Sequence, residues 1–341
     1  MIRHVWGILA ALGLMTGAGQ ADVSRTLLQF SDLNGWASDD HGVALAAFQE
    51  TCIDFKEPEW IPLCDIAFKA PNPRLFFETF FQPVLIEDDT PMLFTGYFEP
   101  ELNGAHNRGG QYQTPLYAMP DGIQKGTPWL TRRQIDQGAI AGRGLELAWV
   151  DDPVAAFFLQ IQGSGRVRMN DGTMMRLGFG GANGHPYRSI GKEMIARGIF
   201  EPHQASAKRI ADWVRDNPTA GRQLLWHNPS YVFFRNVDHV PAEKGPLGAM
   251  SRSITNMRSI AVDPNYTKLG APVWIEKGGR DPLNRLMIAQ DTGSAIDGAQ
   301  RADIFYGTGD AAGAAAGRIK DPGRMIVLLP TRSAFAMVGE E

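Results

Sequence analysis

The sequence predicts a mainly β protein with a minor α-helical part. Glycine makes up 38 of the 341 residues, above the usual share of about 7%. Most apolar runs are short and end near glycine, proline or asparagine, as strands between tight turns do. A helical bundle would need longer segments with an apolar residue at every third or fourth position. The length suits two modest domains or one large one.

The first 21 residues have the pattern of a secretory signal peptide. Arg3 supplies positive charge, residues 5–15 form an apolar run, and residues 19–21 (GQA) form a small-residue cleavage site. We expect cleavage after Ala21. The apolar run is far shorter than the ~20 residues that span a bilayer. The mature protein is therefore expected to be exported and soluble.

The two cysteines of the chain are Cys52 and Cys64. In an oxidising compartment a disulfide between them is the default expectation. No cluster of histidine or aspartate accompanies the pair, so we expect neither a metal site nor a cysteine nucleophile. Closing so short a loop stabilises a fold by roughly 3 kcal/mol in the chain-entropy model.

The elements after the signal peptide begin with two predicted helices. Residues 43–55 have helical spacing, and so does the phenylalanine-rich run 75–81, which Pro83 limits. Residues 93–100 (LFTGYFEP) are predicted to form a strand that breaks into a loop. The next stretch, residues 101–126, is polar and rich in glycine and proline, which indicates a passage between domains.

Short strands are predicted to dominate residues 114–176. The apolar run 154–161 is predicted to be one of them, and the two-residue alternation then places Gln160 and Gln162 on one face. The turn residues 170–173 (NDGT) predict a hairpin whose strands flank them on both sides.

Helical patterns follow the hairpin, within residues 187–198, 203–216 and 219–227, with Gly198 and Pro218 as suitable stops. They do not indicate a nucleic-acid-binding unit. Lys and Arg total 33 against 37 Asp and Glu, the formal net charge is -4, and there is no basic block. Simple packing is the better interpretation of these helices.

The last third returns to strands. These are predicted at residues 231–234, 259–262, 272–276, 285–290, 303–306 and 325–329. Gly309, Gly313 and Gly317 then recur at every fourth position of an alanine-rich segment. This spacing predicts a helix that packs closely on a barrel.

Three aspartates in this last third are the strongest indication of chemistry. Asp263, Asp291 and Asp303 each follow or interrupt an apolar run, so we expect them at the ends of buried strands. A buried carboxyl has a raised pKa, which suits a general acid near neutral pH. Asp291 and Asp303 can share one pocket, where one of them would be held protonated. The alternative is that these residues cap turns, as aspartate beside glycine often does.

Residues 291–294 (DTGS) also match the signature of an aspartic protease. That enzyme needs two such aspartates to share a proton and activate water. No second Asp-Thr-Gly or Asp-Ser-Gly occurs in the sequence. The protease therefore stays a minor alternative.

Taken together, several segments resemble the membrane-bound lytic murein transglycosylase A family. The resemblance covers most of the mature chain, and the order and number of its motifs make it specific. These are residues 95–100 (TGYFEP), 114–117 (TPLY), 158–165 (FLQIQGSG), 184–191 (GHPYRSIG), 228–234 (NPSYVFF) and the three-aspartate region with Gly307 and Gly309.

The resemblance implies a double-psi β-barrel domain with a smaller β domain inserted into it and a groove between the two. We expect residues 22–113 and 241–341 to form the barrel domain and residues 114–240 to form the inserted domain, which also carries helices. The glycan strand of peptidoglycan would lie in the groove.

The same resemblance implies cleavage of the β-1,4 bond between N-acetylmuramic acid and N-acetylglucosamine, with 1,6-anhydromuramic ends as products. By match to the family motif, Asp303 is the catalytic acid and base. Asp291 supports it by holding the proton or by stabilising positive charge on the sugar. Asp263 has a supporting role that orients the backbone. No cofactor and no metal are implied.

Sugar rings need flat apolar faces and hydrogen-bonding groups. The candidate substrate-binding residues are Thr95, Gly96, Tyr97, Gln162, Ser164 and Gly165. For Tyr97 the alternative is a core aromatic. A non-catalytic peptidoglycan-binding protein that uses the same groove is the alternative for the whole chain.

One departure from the family pattern concerns location. The family name implies a lipoprotein, yet no cysteine lies at the predicted cleavage site. We therefore expect a periplasmic protein that associates at most peripherally with the outer membrane or a cell-wall complex. The sequence does not predict an oligomeric state.

Overall fold

The computed structural model describes residues 23–124 and 126–339. The predicted signal peptide, residues 1–21, lies outside these described residues. The helices in the described part are α1 (His41–Thr51), α2 (Trp60–Ala67), α3 (Pro73–Phe80), α4 (Arg132–Asp136), α5 (Pro153–Gln162), α6 (Ile190–Ala196), α7 (Ala207–Asp216), α8 (Pro218–Leu225), α9 (Gly309–Ala316) and α10 (Thr331–Gly339).

The strands of the same part are β1 (Ser24–Leu27), β2 (Phe81–Glu87), β3 (Leu93–Glu99), β4 (Glu101–Ala105), β5 (Thr114–Tyr117), β6 (Glu146–Val150), β7 (Gly165–Met169), β8 (Met174–Ala182), β9 (Val232–Asn236), β10 (Ser259–Val262), β11 (Pro272–Lys277), β12 (Leu283–Asp291), β13 (Arg301–Thr308), β14 (Lys320–Asp321) and β15 (Gly323–Pro330).

The larger sheet is built from the two ends of the described chain. Its nine strands within residues 23–124 and 126–339 run in the order β1-β2-β15-β11-β12-β10-β13-β3-β14. Most neighbours are antiparallel, but β10 pairs in parallel with β12, and β3 with β13. The strands in these two parallel pairs carry Asp291, Asp303 and residues 95–99 of the TGYFEP motif, and Asp263 directly follows β10.

The core of this larger body is rich in aromatic side chains. Trp274 of β11 and Phe48 of α1 are completely buried, and Phe48 packs edge-on against Phe77 and Phe81. The helices α1 to α3 thereby cover one side of the sheet. A disulfide joins Cys52 to Cys64 beside this cluster, which ties the end of α1 to α2.

The smaller sheet consists of the middle of the chain. Among the described residues its six strands run in the order β5-β6-β4-β7-β8-β9, and a bridge between Ala118 and Phe234 brings its two outer strands together. The sheet is therefore a nearly closed barrel. Helix α5 packs on it, and α6 to α8 pack together with α5 in a separate apolar cluster. The predicted hairpin around residues 170–173 is confirmed as β7 and β8.

The predicted fold class is confirmed: the chain is mainly β, with a double-psi barrel domain and a smaller inserted β domain. The change of sheet falls between β3 and β4 on one side and between β9 and β10 on the other. Strand β4 thus pairs in the smaller sheet although it precedes the predicted boundary at residue 114. An open cleft between the two bodies is lined by Glu101, Asn103 and Arg215 on one side and by Asp310 of α9 on the other.

The predicted strand at residues 154–161 is wrong, because this segment is helix α5. Asp152 caps its N-terminus by accepting a hydrogen bond from the N–H of Val154, and Pro153 occupies the first turn. Gly163 ends the helix with φ = 81°, a conformation that glycine adopts without strain. The capping residues at both ends of the segment favour a helix, although its apolar composition also suits a strand.

The helix predicted from the glycine spacing is α9, which packs on β3 and β13. A Cβ atom added at Gly313 would lie 2.7 Å from the ring of Phe98, so the absent side chain permits the close approach. The three helices predicted between residues 187 and 227 are present as α6, α7 and α8. Helix α7 ends at Asp216, two residues before the predicted stop at Pro218, which also begins α8. None of the helices in the described ranges is long and apolar enough to cross a membrane.

Candidate active site

The register of the larger sheet aligns four residues in one row across four strands. Asp303 of β13 pairs with Ala261 of β10 on one side and with Thr95 of β3 on the other. Ala261 in turn pairs with Asp291 of β12. Because neighbouring strands lie about 4.8 Å apart, the Cα atoms of the two aspartates are roughly 10 Å apart. Residues in one row project to the same face of a sheet, so both carboxyls belong to one site with the small Ala261 between them.

The carboxyl of Asp303 is held by Thr95. The Thr95 hydroxyl donates to Oδ1 of Asp303 at 2.6 Å and accepts from Nη2 of Arg301 at 2.9 Å. A guanidinium can only donate, so the single hydroxyl proton of Thr95 is directed at Asp303. Among the residues that the structure describes, none donates a hydrogen bond to Oδ2 of Asp303.

Burial raises the pKa of Asp303 above its ordinary value. The hydrogen bond from Thr95 and the positive charge of Arg301 oppose this shift, but desolvation is the larger effect. The carboxyl is therefore easier to protonate than an aspartate in water, while a nearby donor and a nearby cation stabilise its ionised form. Such a group can give a proton and take it back.

Asp291 has a different environment, in which its oxygens are already used. Oδ1 accepts from the N–H groups of Ala249 and Thr292, both at 2.9 Å, and Oδ2 accepts from the hydroxyl of Tyr97 at 3.0 Å. Burial raises its pKa to about 6, although these hydrogen bonds pull the pKa down. The charge of Asp303 is the smallest contribution. The pKa of each acid is thus raised mainly by its own burial rather than by competition for one proton.

Tyr97 lies in the core with its hydroxyl in the site. Its side chain is 9% exposed and packs against Phe305, with Ile254 and Ile296 in the same cluster. Burial, followed by the charge of Asp291, raises its pKa well above the ordinary value for tyrosine. The neutral phenol is therefore the donor to Asp291, and the ring is a core aromatic.

Asp263 follows β10 and holds the connection between β12 and β13. Its Oδ1 accepts from the N–H of Asn265 and its Oδ2 from the N–H of Gly298, both at 2.9 Å. Asp88 accepts from the next N–H, that of Ala299, at 3.1 Å. Asp263 is buried. Its contacts orient backbone between the two strands that carry Asp291 and Asp303.

The remaining side-chain candidates lie where α5 ends and β7 begins. Gln162 accepts from the N–H of Phe98 at 3.0 Å, and Ser164 is buried. A Cβ atom at Gly165 would lie 2.3 Å from a methyl carbon of Leu159, so the space beside this glycine is filled. Within the described ranges, none of these side chains forms a hydrogen bond with Asp303.

Gly96 lies next to the site on β3, aligned with Ile304 of β13. A Cβ atom there would lie 2.8 Å from the Cα atom of Ala316 in α9. Glycine at this position lets the helix lie directly on the strand that carries Thr95. The part of the chain that the structure describes has no group of three or more histidine, cysteine or acidic residues that could hold a metal ion.

Sequence reasoning missed Arg301, Ala261 and Ala249. Arg301 could have been identified from the sequence, because a residue two positions before Asp303 on the same strand projects to the same face. Ala261 acquires its role only from the strand order, and Ala249 contributes only a backbone N–H. Neither has a side-chain signal that could be recognised in a sequence.

Comparisons with known proteins agree with this architecture. Residues 93–235 match the model of the MltA specific insert domain, and residues 258–329 match that of the 3D domain. The membrane-bound lytic murein transglycosylase A of Vibrio cholerae is 35% identical over 266 residues, which cover 73% of this chain and 70% of the relative.

Solved structures are similar over almost the whole chain. The membrane-bound lytic murein transglycosylase of Agrobacterium tumefaciens has a TM-score of 0.83 at 30% identity, with 92% of this chain and 99% of that one covered. A structure of Escherichia coli MltA with bound chitohexaose has a TM-score of 0.73 at 27% identity, covering 90% and 94% of the two chains. The chain thus belongs to the membrane-bound lytic murein transglycosylase A family.

Proposed function

We propose that this protein is a lytic transglycosylase that cleaves the β-1,4 bond between N-acetylmuramic acid and N-acetylglucosamine in peptidoglycan. The observation that carries the proposal is the carboxyl of Asp303: it is half-buried, its pKa is raised, and its Oδ2 is free of donors from the described residues. The names of the relatives give this activity, and the related Escherichia coli protein binds chitohexaose, a β-1,4-linked glycan, in a crystal structure.

Cleavage begins with a proton transfer. Protonated Asp303 gives its proton from Oδ2 to the 4-oxygen of N-acetylglucosamine as the bond from that oxygen to C1 of N-acetylmuramic acid breaks. Positive charge develops on C1 and the ring oxygen of the muramoyl residue. Thr95 and Arg301 stabilise the carboxylate that remains, because they favour its ionised form.

The second step closes a ring on the muramoyl residue. The carboxylate of Asp303 removes the proton from the 6-hydroxyl, and O6 forms a bond to C1. The product has a 1,6-anhydro end, and Asp303 is protonated again for the next cycle. The nucleophile is already part of the reacting sugar, so the step needs no bound water and loses little entropy.

The surroundings of Asp291 support a mechanism with one acid. An inverting glycosidase needs a second carboxylate, about 6.5–9.5 Å from the first, that activates water. Asp291 is the candidate for that role, because its Cα atom lies roughly 10 Å from that of Asp303. Its oxygens, however, accept from Ala249, Thr292 and Tyr97, which leaves little capacity to take a proton from water. With a pKa of about 6 it is mostly ionised at neutral pH, and its charge stabilises the positively charged sugar.

The groove and the location follow from the same proposal. The glycan strand lies between the barrel domain and the inserted domain, to which β4 belongs because it pairs with β6 and β7. Thr95 and the backbone at Gly96 contact the sugar near Asp303, while Gln162, Ser164 and Gly165 shape the facing wall. The protein acts in the periplasm after export, with at most a peripheral association with the outer membrane or a cell-wall complex.

The test is to incubate the purified protein with sacculi and analyse the soluble products by mass spectrometry. Muropeptides with 1,6-anhydro ends are expected. The Asp303→Asn variant should still bind sacculi but release no such product. Free reducing ends would show hydrolysis, binding without release would show a non-catalytic binding protein, and peptide fragments would show a protease. Each of these three results contradicts the proposal.

A further inference from the structure

Glu99 is a buried carboxylate at the end of β3 that the catalytic steps do not use. It is 1% exposed and lies four residues after Thr95 on the same strand. Its Oε2 accepts from Nε of Arg166 at 2.9 Å and from the hydroxyl of Thr308 at 2.8 Å, and its Oε1 accepts from Nη2 of Arg176 at 3.2 Å. One carboxylate thus receives two cations and a hydroxyl group.

The two arginines belong to the smaller sheet. Arg166 of β7 and Arg176 of β8 face each other in the register of the hairpin. Their guanidinium groups also donate to main-chain carbonyls of the segment that leads back to the larger body. These carbonyls are those of Ala242 and Lys244 for Arg166, and those of Val240 and Pro241 for Arg176. Both chain crossings between the domains are therefore attached to one carboxylate.

The third donor connects this carboxylate to the catalytic strand. Thr308 is the last residue of β13, five positions after Asp303. It is also the N-cap residue of α9, yet its side chain does not cap the helix. A threonine at this position ordinarily accepts from the first turn, whereas here the hydroxyl donates to Glu99. The two strands that hold the reacting groups, β3 and β13, are thereby joined at the domain junction.

We infer that Glu99 is a positioning residue that sets the orientation of the inserted domain relative to Asp303. This inference rests on the proposed cleavage of a glycan held between the domains. The contacts of a buried ion pair are directional, and removing one partner strongly destabilises the folded protein. Loss of the Glu99 charge therefore frees two arginines and releases the wall of the groove that they carry.

The experiment measures activity and domain orientation on the same variants. Glu99→Gln keeps the shape of the side chain and removes its charge. The matched control is Glu193→Gln, which breaks the surface pair between Glu193 of α6 and Arg197 in the inserted domain. Spectroscopic labels are placed at the exposed Lys69 and Gln223, one on each domain, through an unnatural amino acid so that the native disulfide is unaffected. Pulsed electron resonance gives the distance between the labels.

For Glu99→Gln we expect kcat on sacculi to fall by about 10-fold to 100-fold per folded molecule, since a displacement of about 1 Å has an effect of that order. The alkaline limb of the kcat–pH profile, which reports Asp303, should not move, and the distance distribution should broaden. Glu193→Gln should match the wild type. A purely structural role would reduce only the folded fraction, and wild-type kcat per folded molecule with an unchanged distance would overturn the inference.

If Glu99→Gln does not fold, Glu99→Asp serves the same purpose. It keeps the charge but is one methylene too short to reach both arginines, so a smaller fall in kcat and a smaller broadening are expected. Wild-type values of both would overturn the inference. A failure of the proposed function can be told apart from a failure of this inference. If the wild-type protein released no anhydro products, kcat could not be compared, but the distance between the labels would still test the role of Glu99.

Discussion

Replacing Thr95 by valine tests how the site controls the proton of Asp303. The Thr95 hydroxyl donates to Oδ1 of Asp303 at 2.6 Å, and Arg301 fixes its direction. Valine has nearly the same shape and cannot donate. The substitution therefore removes one hydrogen bond to the carboxylate and leaves the packing between β3 and β13 almost unchanged.

The sign and size of the effect follow from this contact. A hydrogen bond to a charged group contributes about 1.5–3 kcal/mol, and 1.36 kcal/mol corresponds to one pKa unit. Because the bond stabilises the ionised form, its loss should raise the pKa of Asp303 by about 1–2 units. The protonated form starts the reaction, so activity falls as the pH rises through this pKa. The alkaline limb of kcat should therefore move to higher pH in Thr95→Val.

The assay is the release of anhydro-muropeptides from sacculi between pH 4 and pH 10, with kcat determined at each pH. Thr95→Ser keeps the hydroxyl and should keep the wild-type limb, while both variants should melt near the wild-type temperature. An unmoved limb in a folded Thr95→Val protein would refute the reasoning. A limb at lower pH would also refute it, because Arg301 would then bind Asp303 directly.

Further predictions concern stability around the site. Burial raises the pKa of Asp291 from 3.8 to about 6, so the free energy of unfolding of the wild type should fall as the pH rises through this window. In Asp291→Asn, urea unfolding should show a fall that is smaller by up to about 3 kcal/mol. Asp263→Ala leaves the N–H of Gly298 without its acceptor and should lower the free energy of unfolding by about 1–3 kcal/mol, with unchanged urea stability as the contrary result. Gly313→Ala places a methyl group 2.7 Å from the Phe98 ring; overpacking should lower the free energy of unfolding by about 1–3 kcal/mol, which calorimetry can measure.

Local signals in the sequence predicted much of the fold. The turn at residues 170–173 gave its hairpin, and the glycine spacing after residue 308 gave a helix on the barrel. The segment 154–161 shows the limit of apolar pattern alone. Its composition suits a strand or a buried helix equally, and only the caps at Asp152 and Gly163 decide for the helix. Those caps are in the sequence, so this error was avoidable.

The sequence predicted those features of the site that depend on the residues next to each aspartate in the chain. The partial burial of Asp303 and Asp291 follows from the apolar runs around them. Their separation by Ala261 does not, because it depends on the insertion of β10 between β12 and β13. The partners of Glu99 also escape a local reading, since Arg166 and Arg176 lie 67 and 77 residues away in the chain. Strand order decides both features, and no short segment encodes it.

The junction at Glu99 also brings together the two points at which the chain leaves and re-enters the larger body. A single guanidinium, that of Arg166, touches the end of β3 and the carbonyls of Ala242 and Lys244, so the outgoing and returning backbones run side by side. Removing the residues between these two points would also remove Arg166 and Arg176, the basic partners of Glu99. A different glycan-contacting module placed on this barrel would therefore need two cations positioned to meet Glu99.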